Sequence, residues 1–298
     1  MSLIDIMDDA RSLLSGVGAI LGSADISGAA SFLGRTALRS KKPVRVKVRS
    51  IPIFVRPCTP DLDVAKLSFS GEFDAAIAAA RPLKYRFIID AGGYIGTAAI
   101  KLAKAFPEAT IVSLEPSRDN FAMLAMNVRG YPNVIPLNMA LSSTAGSIEL
   151  VDRGTEEIGF SIVQAPADCA SPPRLHQVAV TTVPDLMQKF EASGIDFLKL
   201  DIEGAEHDLV KGQPDWLAAT RVVFAELHER IVPGCEAVFA AAAANRSNSV
   251  DDRGEKILSI RQDQASTTEP AQPFTSSNST SNISVALGGI TPPAPRAP

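Results

Sequence analysis

Three carboxylates, Asp201, Glu203 and Glu206, follow an apolar run in the stretch FLKLDIEGAEHDLVKG, Phe197–Gly212. A core strand buries Phe197, Leu198 and Leu200 readily, whereas an ionised carboxylate at its end needs water, a partner or a ligand. A second arrangement lies upstream. In FIIDAGGYIG an apolar run ends in Asp90 and a turn follows with Gly92, Gly93 and Gly96; the next apolar run ends in Glu115, nineteen residues after Gly96. Glycine is needed where backbone must approach a ligand and where a helix must start tight against a strand. An acid at the tip of the second strand can accept both hydroxyls of a ribose, so together these residues describe a nucleoside-bearing cofactor lying over strand ends.

The residues also discriminate between cofactors. A dinucleotide site sets its pyrophosphate on the helix N-terminus with the order G-x-G-x-x-G, and here Ala91 stands at the first glycine. Asp90 would repel a pyrophosphate, but it could fix a water or the amino group at the methionine end of S-adenosylmethionine, which carries no phosphate. S-adenosylmethionine is therefore favoured over NAD(P). A tight turn with no ligand would leave the pairing of Asp90 with Glu115 unexplained.

The elements that position these residues alternate between short apolar runs and helical spacing. Strands are expected at Arg86–Ala91, Thr110–Leu114, Val134–Leu137, Phe197–Leu200, Val222–Leu227 and Lys256–Ile260. Helices are expected near Thr97–Phe106, Arg118–Val128, Val183–Ala192, Ala205–Lys211 and Glu236–Ala244. Such alternation implies an α/β fold, a doubly wound, mostly parallel sheet with helices on both faces.

Three segments follow: residues 1–50, an amphipathic helix and basic extension; residues 51–261, the catalytic domain; and residues 262–298, a Ser/Thr/Pro-rich tail too polar to offset its ordering entropy. Ile4, Met7, Ala10, Leu13, Leu14 and Val17 fall at helical spacing over 2–21, before a Gly/Ser-rich break near Gly22–Gly28. That helix is expected to pack on its own chain or in a homo-oligomer, with a membrane surface as the alternative. Residues 1–60 hold nine Lys/Arg against four Asp/Glu, while the rest of the chain holds twenty against twenty-nine. VRVKVRS at Val44–Ser50 alternates valine with charge, as a strand with one basic face does. Without aromatic interleaving, no nucleic-acid contact is inferred. Cys58, Cys169 and Cys235 show no metal or redox spacing. Acids interrupt the N-terminus before a signal core forms, and no run is long enough for a transmembrane segment, which together point to the cytoplasm.

From Ile53 to Arg261 the sequence resembles the FkbM family of S-adenosylmethionine-dependent methyltransferases. The resemblance rests on FVRPCTPDLDVAKLSFSGEFD, IIDAGGYIG, SLEPSRDNFAMLAMNV, NMALSS, FLKLDIEGAEHDLVKG and FAELHE. It implies a Rossmann-like class I fold, with Asp90, Gly92 and Gly96 at the methionine end, Glu115 on the ribose, and Asn138 and Ala140 bordering the adenine. The chain departs from the family pattern at Tyr94, where a small amide is usual. The ring must turn outward or alter how the methionine end is held.

Ligands of doubly wound sheets sit at the carboxyl ends of the strands, where Asp201 ends one strand and Glu226 and His228 share a face of the next. Asp201 and Glu203 are candidates to hold an acceptor hydroxyl or a divalent cation, although their spacing matches no established metal motif. Glu206, in a first helical turn, is expected to complement the helix dipole. His207 is assigned to the surface and His176 to a loop. Methyl transfer mainly requires positioning, with a base for an alcohol. Asp201 would orient the acceptor, and His228, with a reference pKa near ~6.5, or Asp201 would take its proton. The reading is O-methylation of a small molecule, sugar or glycolipid; an inactive S-adenosylmethionine-binding module and an NAD(P) oxidoreductase are the alternatives.

Overall fold

The computed structural model describes residues 13–262, apart from residues 24, 213, 252, 253 and 255. The first part of the expected N-terminal helix, residues 2–12, and the tail beyond residue 262 lie outside the described residues.

Seven strands form one sheet in the order β12 (Arg246–Val250), β13 (Lys256–Arg261), β11 (Thr220–Glu226), β10 (Ile195–Leu200), β3 (Phe87–Ala91), β4 (Thr110–Leu114) and β5 (Val134–Leu137). Pairing from β11 through β5 is parallel, and β13 opposes both of its neighbours. From β3 the chain winds outward through β4 to β5, then returns to β10 and winds the other way. The order therefore reverses between β3 and β10, and a ligand crevice opens there at the carboxyl ends of the strands. All six residues of β10 are buried, which suits a central strand covered on both faces.

Strand alternation distributes the core to two layers. Ile88, Ile111, Phe197, Val222 and Phe224 pack with α2 (Asp61–Phe69), α3 (Asp74–Ala80), α4 (Thr97–Ala105) and α5 (Arg118–Val128). Phe87, Ile89, Val112, Leu198, Leu200 and Val223 pack on the other face with α6 (Val183–Lys189), α7 (Glu206–Val210), α8 (Asp215–Ala218) and α9 (Cys235–Ala242). Local signals set the helix starts: Ser117 caps α5 through the Asn120 N–H, and Thr182 caps α6 through the Asp185 N–H, with Pro184 in its first turn.

Several elements differ from the sequence reading. Residues 13–21 are helical, but the break after them is short, because α1 (Ile26–Ala37) already begins at Ile26. Asp25 caps α1 by accepting from Gly28 N at 3.0 Å, and a Cβ on Gly28 would stand 2.3 Å from that carboxylate. Gly28 thus lets the cap close instead of breaking the helix. Antiparallel strands β1 (Val44–Val48) and β2 (Ile51–Val55) make a hairpin, and the expected segment boundary after residue 50 falls at its tip. A four-stranded sheet in the order β6 (Met139–Leu141), β9 (Arg174–Thr181), β7 (Gly146–Asp152), β8 (Phe160–Ser161) went unanticipated. Consequently His176, expected in a loop, lies within β9, because that stretch has a polar outer face that reads as loop.

Asp196 ties the base of β10 to the segment entering β3. Fully buried, it accepts from the backbone N–H groups of Lys84, Tyr85 and Arg86 at 2.7, 2.9 and 2.6 Å and pairs with Arg221 at 3.1 Å. Asp196→Ala would strand three backbone donors and is expected to cost about 3 kcal/mol or more in urea unfolding; a loss below about 1 kcal/mol would contradict this role.

Candidate active site

The glycine turn is fitted to the end of β10. Gly92 has φ +84°, and a Cβ there would lie 1.8 Å from the Asp201 carbonyl oxygen, so only glycine allows the turn after β3 to meet the loop after β10. Gly93 lies against the Ser113 hydroxyl, and Gly96, at φ +91°, starts α4. Tyr94, also at positive φ, donates its backbone N–H to Glu115 at 2.8 Å and its hydroxyl to Asp61 at 2.6 Å, with the Arg56 guanidinium 5.7 Å from its ring centre. The ring is therefore held against Asp61 and Arg56, and it lines the crevice.

Two adjoining cavities open at the switch point. The first is mainly apolar, walled by Leu114, Met139, Ala140, Leu141, Phe160 and Ile162, with Glu115, Glu157, Asp201 and Glu203 as its acids. The second is the more polar of the two, with Ser68, Glu72, Thr97, Lys199, Glu226 and Lys256 on its walls beside Leu67, Phe73 and Ala98. Gly92, Tyr94, Asp201 and Glu203 line both. The small sheet missed from sequence supplies much of the apolar wall. Val112 and Leu114 gave a strand signal, whereas short β6 and β8 gave none.

Of the expected cofactor residues, Gly92, Glu115 and Ala140 line the apolar cavity and Gly93 the polar one. Asp90 is fully buried and lines neither. It accepts from Ser113 Oγ at 2.7 Å, its other oxygen has no hydrogen bond, and Lys199 Nζ lies 3.6 Å away. Asp90, expected at the methionine end, thus lies beneath the turn and acts on Lys199. Asn138 does not border the cavity either; it donates to the carbonyls of Glu115 and Pro116 at 2.8 and 3.0 Å, fixing the loop that carries the acid. Gly96 is removed from the wall by its place at the start of α4. Glu115 accepts from the N–H groups of Tyr94 and Ser117, and burial pushes its carboxyl up to about 7.

Lys199, the next-to-last residue of β10, is buried at the junction. Its ammonium donates to the Gly92 carbonyl at 2.8 Å and lies 3.2 Å from Asp201. Burial opposes its charge, yet Asp201 and Asp90 together hold its pKa above the usual lysine range. Its signal was a lone cation near the end of a buried strand.

His228 is almost fully buried and is not among the residues lining either cavity. Its Nδ1 lies 3.1 Å from Glu206, and its Nε2 lies 3.6 Å from Glu203, 3.8 Å from Glu226 and 3.9 Å from Asp201. Burial alone favours the neutral ring, but Glu206, then Glu203 and Asp201, push its pKa up to about 10. Where a base was expected, the surroundings of His228 favour a cation enclosed by carboxylates. Glu206 does more than complement a dipole, since it accepts from the N–H groups of Ile202 and Gly204 and so braces the loop while orienting His228. Glu203 sits in the left-handed region at φ +54°, pinned by an ion pair with the buried Arg153, and burial pushes its pKa up to about 7. His207, on the same helix, pairs with Asp208.

Asp201, Glu203 and His228 present donor atoms within 4.8 Å of one another, the kind of set that can hold a metal ion. Lys199 and Arg153 already match the two carboxylates, and a proton on His228 completes the compensation.

The model of the Methyltransferase FkbM domain matches residues 90–238, half of the chain. Hexuronic acid methyltransferase AglP of Haloferax volcanii is 27% identical over 145 residues, 48% of this chain and 56% of that protein. Methyltransferase sdnD of Sordaria araneosa is 27% identical over 167 residues, 46% of this chain and 64% of that protein. The chain spans less than two thirds of the length of either relative. Among solved structures, an O-methyltransferase from Bacillus cereus in complex with SAH is 16% identical with a TM-score of 0.36, covering 84% of this chain and 100% of that one; agreement this loose carries no weight for the site.

The enclosed imidazolium has a thermodynamic signature. Because the folded pKa is raised from about 6.5, the stabilisation by His228 is complete below pH ~6.5 and is lost as pH rises through about 10. Histidine NMR should find one ring still protonated at pH 8, and Glu206→Gln should lower its pKa by at least about one unit. A His228 resonance titrating near 6.5 would contradict the geometry.

Proposed function

The chain belongs to the FkbM methyltransferase family, and from that premise we propose that it transfers a methyl group from S-adenosylmethionine to a hydroxyl oxygen of a sugar or other small polyhydroxylated acceptor. The observation that carries this reading is the junction of an apolar cavity containing Glu115 with a polar cavity, the two sharing Gly92, Asp201 and Glu203. The fit of the cofactor rests on an apolar slot beside a buried acid, with Gly92 on its wall.

Adenine suits the slot of Leu114, Met139, Leu141 and Phe160, and Glu115 is the acceptor for the ribose hydroxyls. Bound there, S-adenosylmethionine supplies a methyl carbon activated by its sulfonium for in-line attack by the acceptor oxygen. Asp201, kept ionised chiefly by Lys199 and His228 against the effect of burial, accepts a hydrogen bond from the acceptor hydroxyl and orients it. Glu203 lines both cavities, and with a pKa near 7 it is matched to take the hydroxyl proton at neutral pH. His228 holds the two carboxylates in place as a positioning residue. The polar wall, with Lys199 and Lys256 among carboxylates, suits an acceptor rich in hydroxyls; AglP, which is named for hexuronic acid, points the same way.

Calorimetric titration with S-adenosylmethionine tests the donor site. Affinity should rise between pH 6 and 8 as Glu115 ionises. Glu115→Gln should weaken binding by about tenfold to a hundredfold and flatten the pH response. Unaltered affinity in the variant would remove Glu115 from the site. For the transfer step, Glu203→Gln should lower kcat by about a hundredfold or more while leaving donor affinity within about threefold, measured as label transferred from methyl-labelled donor to a panel of sugars; undiminished kcat would exclude it as the base.

A further inference from the structure

We propose that α1 and the basic side of the β1–β2 hairpin form a docking surface for an anionic lipid bilayer. That surface borders the mouth of the two cavities.

The outward face of α1 has the wrong chemistry for water. The helix buries Gly28, Ala29 and Phe32 against the core, as an amphipathic helix should, yet Ile26, Ala30, Leu33 and Ala37, at i, i+4, i+7 and i+11, are exposed as well. Ile26 is 75% exposed, Leu33 41%, and Leu38, just beyond the helix, 80%. Leu14 and Leu21 in the preceding helical stretch are also exposed. Five of the nine large exposed hydrophobic residues among the described residues thus lie between positions 14 and 38, and such concentration marks a contact surface.

Charge selects the occupant. Arg39, Lys41 and Lys42 follow α1 and are exposed, Arg45 and Lys47 project from the outer face of β1, and Arg49 sits at the hairpin tip. No acidic residue occurs from position 26 to position 60. Among the described residues only Lys41 of these six lies within ion-pair distance of a carboxylate. An apolar helix face beside a row of cations in excess over nearby carboxylates suits the plane of an anionic bilayer, where apolar side chains enter the acyl boundary and each cation adds attraction. A second copy of the chain on this face would bring like charges together. No helix among the described residues is long and apolar enough to cross a membrane, so the contact is superficial.

The same surface reaches the crevice. Lys41 pairs with Glu157, which lines the apolar cavity, and the neighbouring Ile158 is 44% exposed and lines both cavities. If the cavities take the methyl donor and acceptor proposed above, docking would present them to an acceptor carried in the membrane; the lipid contact itself does not depend on that reading.

Sedimentation of the full chain with phosphatidylcholine vesicles, with and without phosphatidylserine, provides the test. Binding to the anionic vesicles alone, falling as salt is raised, is expected. Ile26→Ser with Leu33→Ser, and separately Arg45→Ser with Lys47→Ser, should each weaken it at least about tenfold with circular dichroism unchanged. The proposal is overturned by absence of binding, by equal binding to both vesicle types, by salt-insensitive binding, or by a dimer in sedimentation velocity that Leu33→Ser dissociates. Absence of vesicle binding alongside intact S-adenosylmethionine binding would remove the docking surface alone.

Discussion

A buried ammonium holds the centre of this molecule together. Lys199 lies near the carboxyl end of the central strand, with its charge under the turn after β3 and beside the loop after β10. A lysine there would shed its proton if unpaired, since burial disfavours the charged form. Asp90 and Asp201, each at the end of its own strand, keep it charged, and it in turn fixes the Gly92 carbonyl. The two halves of the doubly wound sheet are thus joined at the point where their strand order reverses. The glycine at 92 follows from the same constraint, because the Asp201 carbonyl occupies the space a side chain would need.

Outward from that junction the carboxylates are sorted by their surroundings. Asp201 stays ionised beside Lys199, while burial pushes the pKa of Glu203 to about 7. Glu206, wholly enclosed, spends its oxygens on two backbone donors and on His228. Glu203 adopts a left-handed backbone that a non-glycine residue holds only when its neighbours determine it. Arg153 and the loop braced by Glu206 provide that determination, and the strain is located where acceptor chemistry is proposed.

Sequence reading located the parallel strands closely because fully buried β-strands are written as continuous apolar runs; Thr110–Leu114 and Val134–Leu137 match residue for residue. It recovered Glu115, Asp201 and Glu203 on the cavity walls because acids at strand ends stand out against such runs. It did not reveal the small sheet of β6 to β9, whose strands are short or polar on one face. Charge balance was also hidden. That His228 faces four carboxylates depends on Glu203, Glu206, Glu226 and Asp201 converging in space, and a reference pKa in isolation gave the opposite protonation state. For Asp90, the position in the motif was legible, but its enclosure by the turn was not.

The central claim is that one cavity takes the adenosyl group and the other the acceptor, meeting at Asp201 and Glu203. A crystal structure with S-adenosylhomocysteine tests it most directly. Adenine is expected against Met139 and Phe160, ribose on Glu115, and the sulfur directed toward Asp201 and Glu203. An adenosine bound in the polar cavity, or away from Glu115, would contradict it.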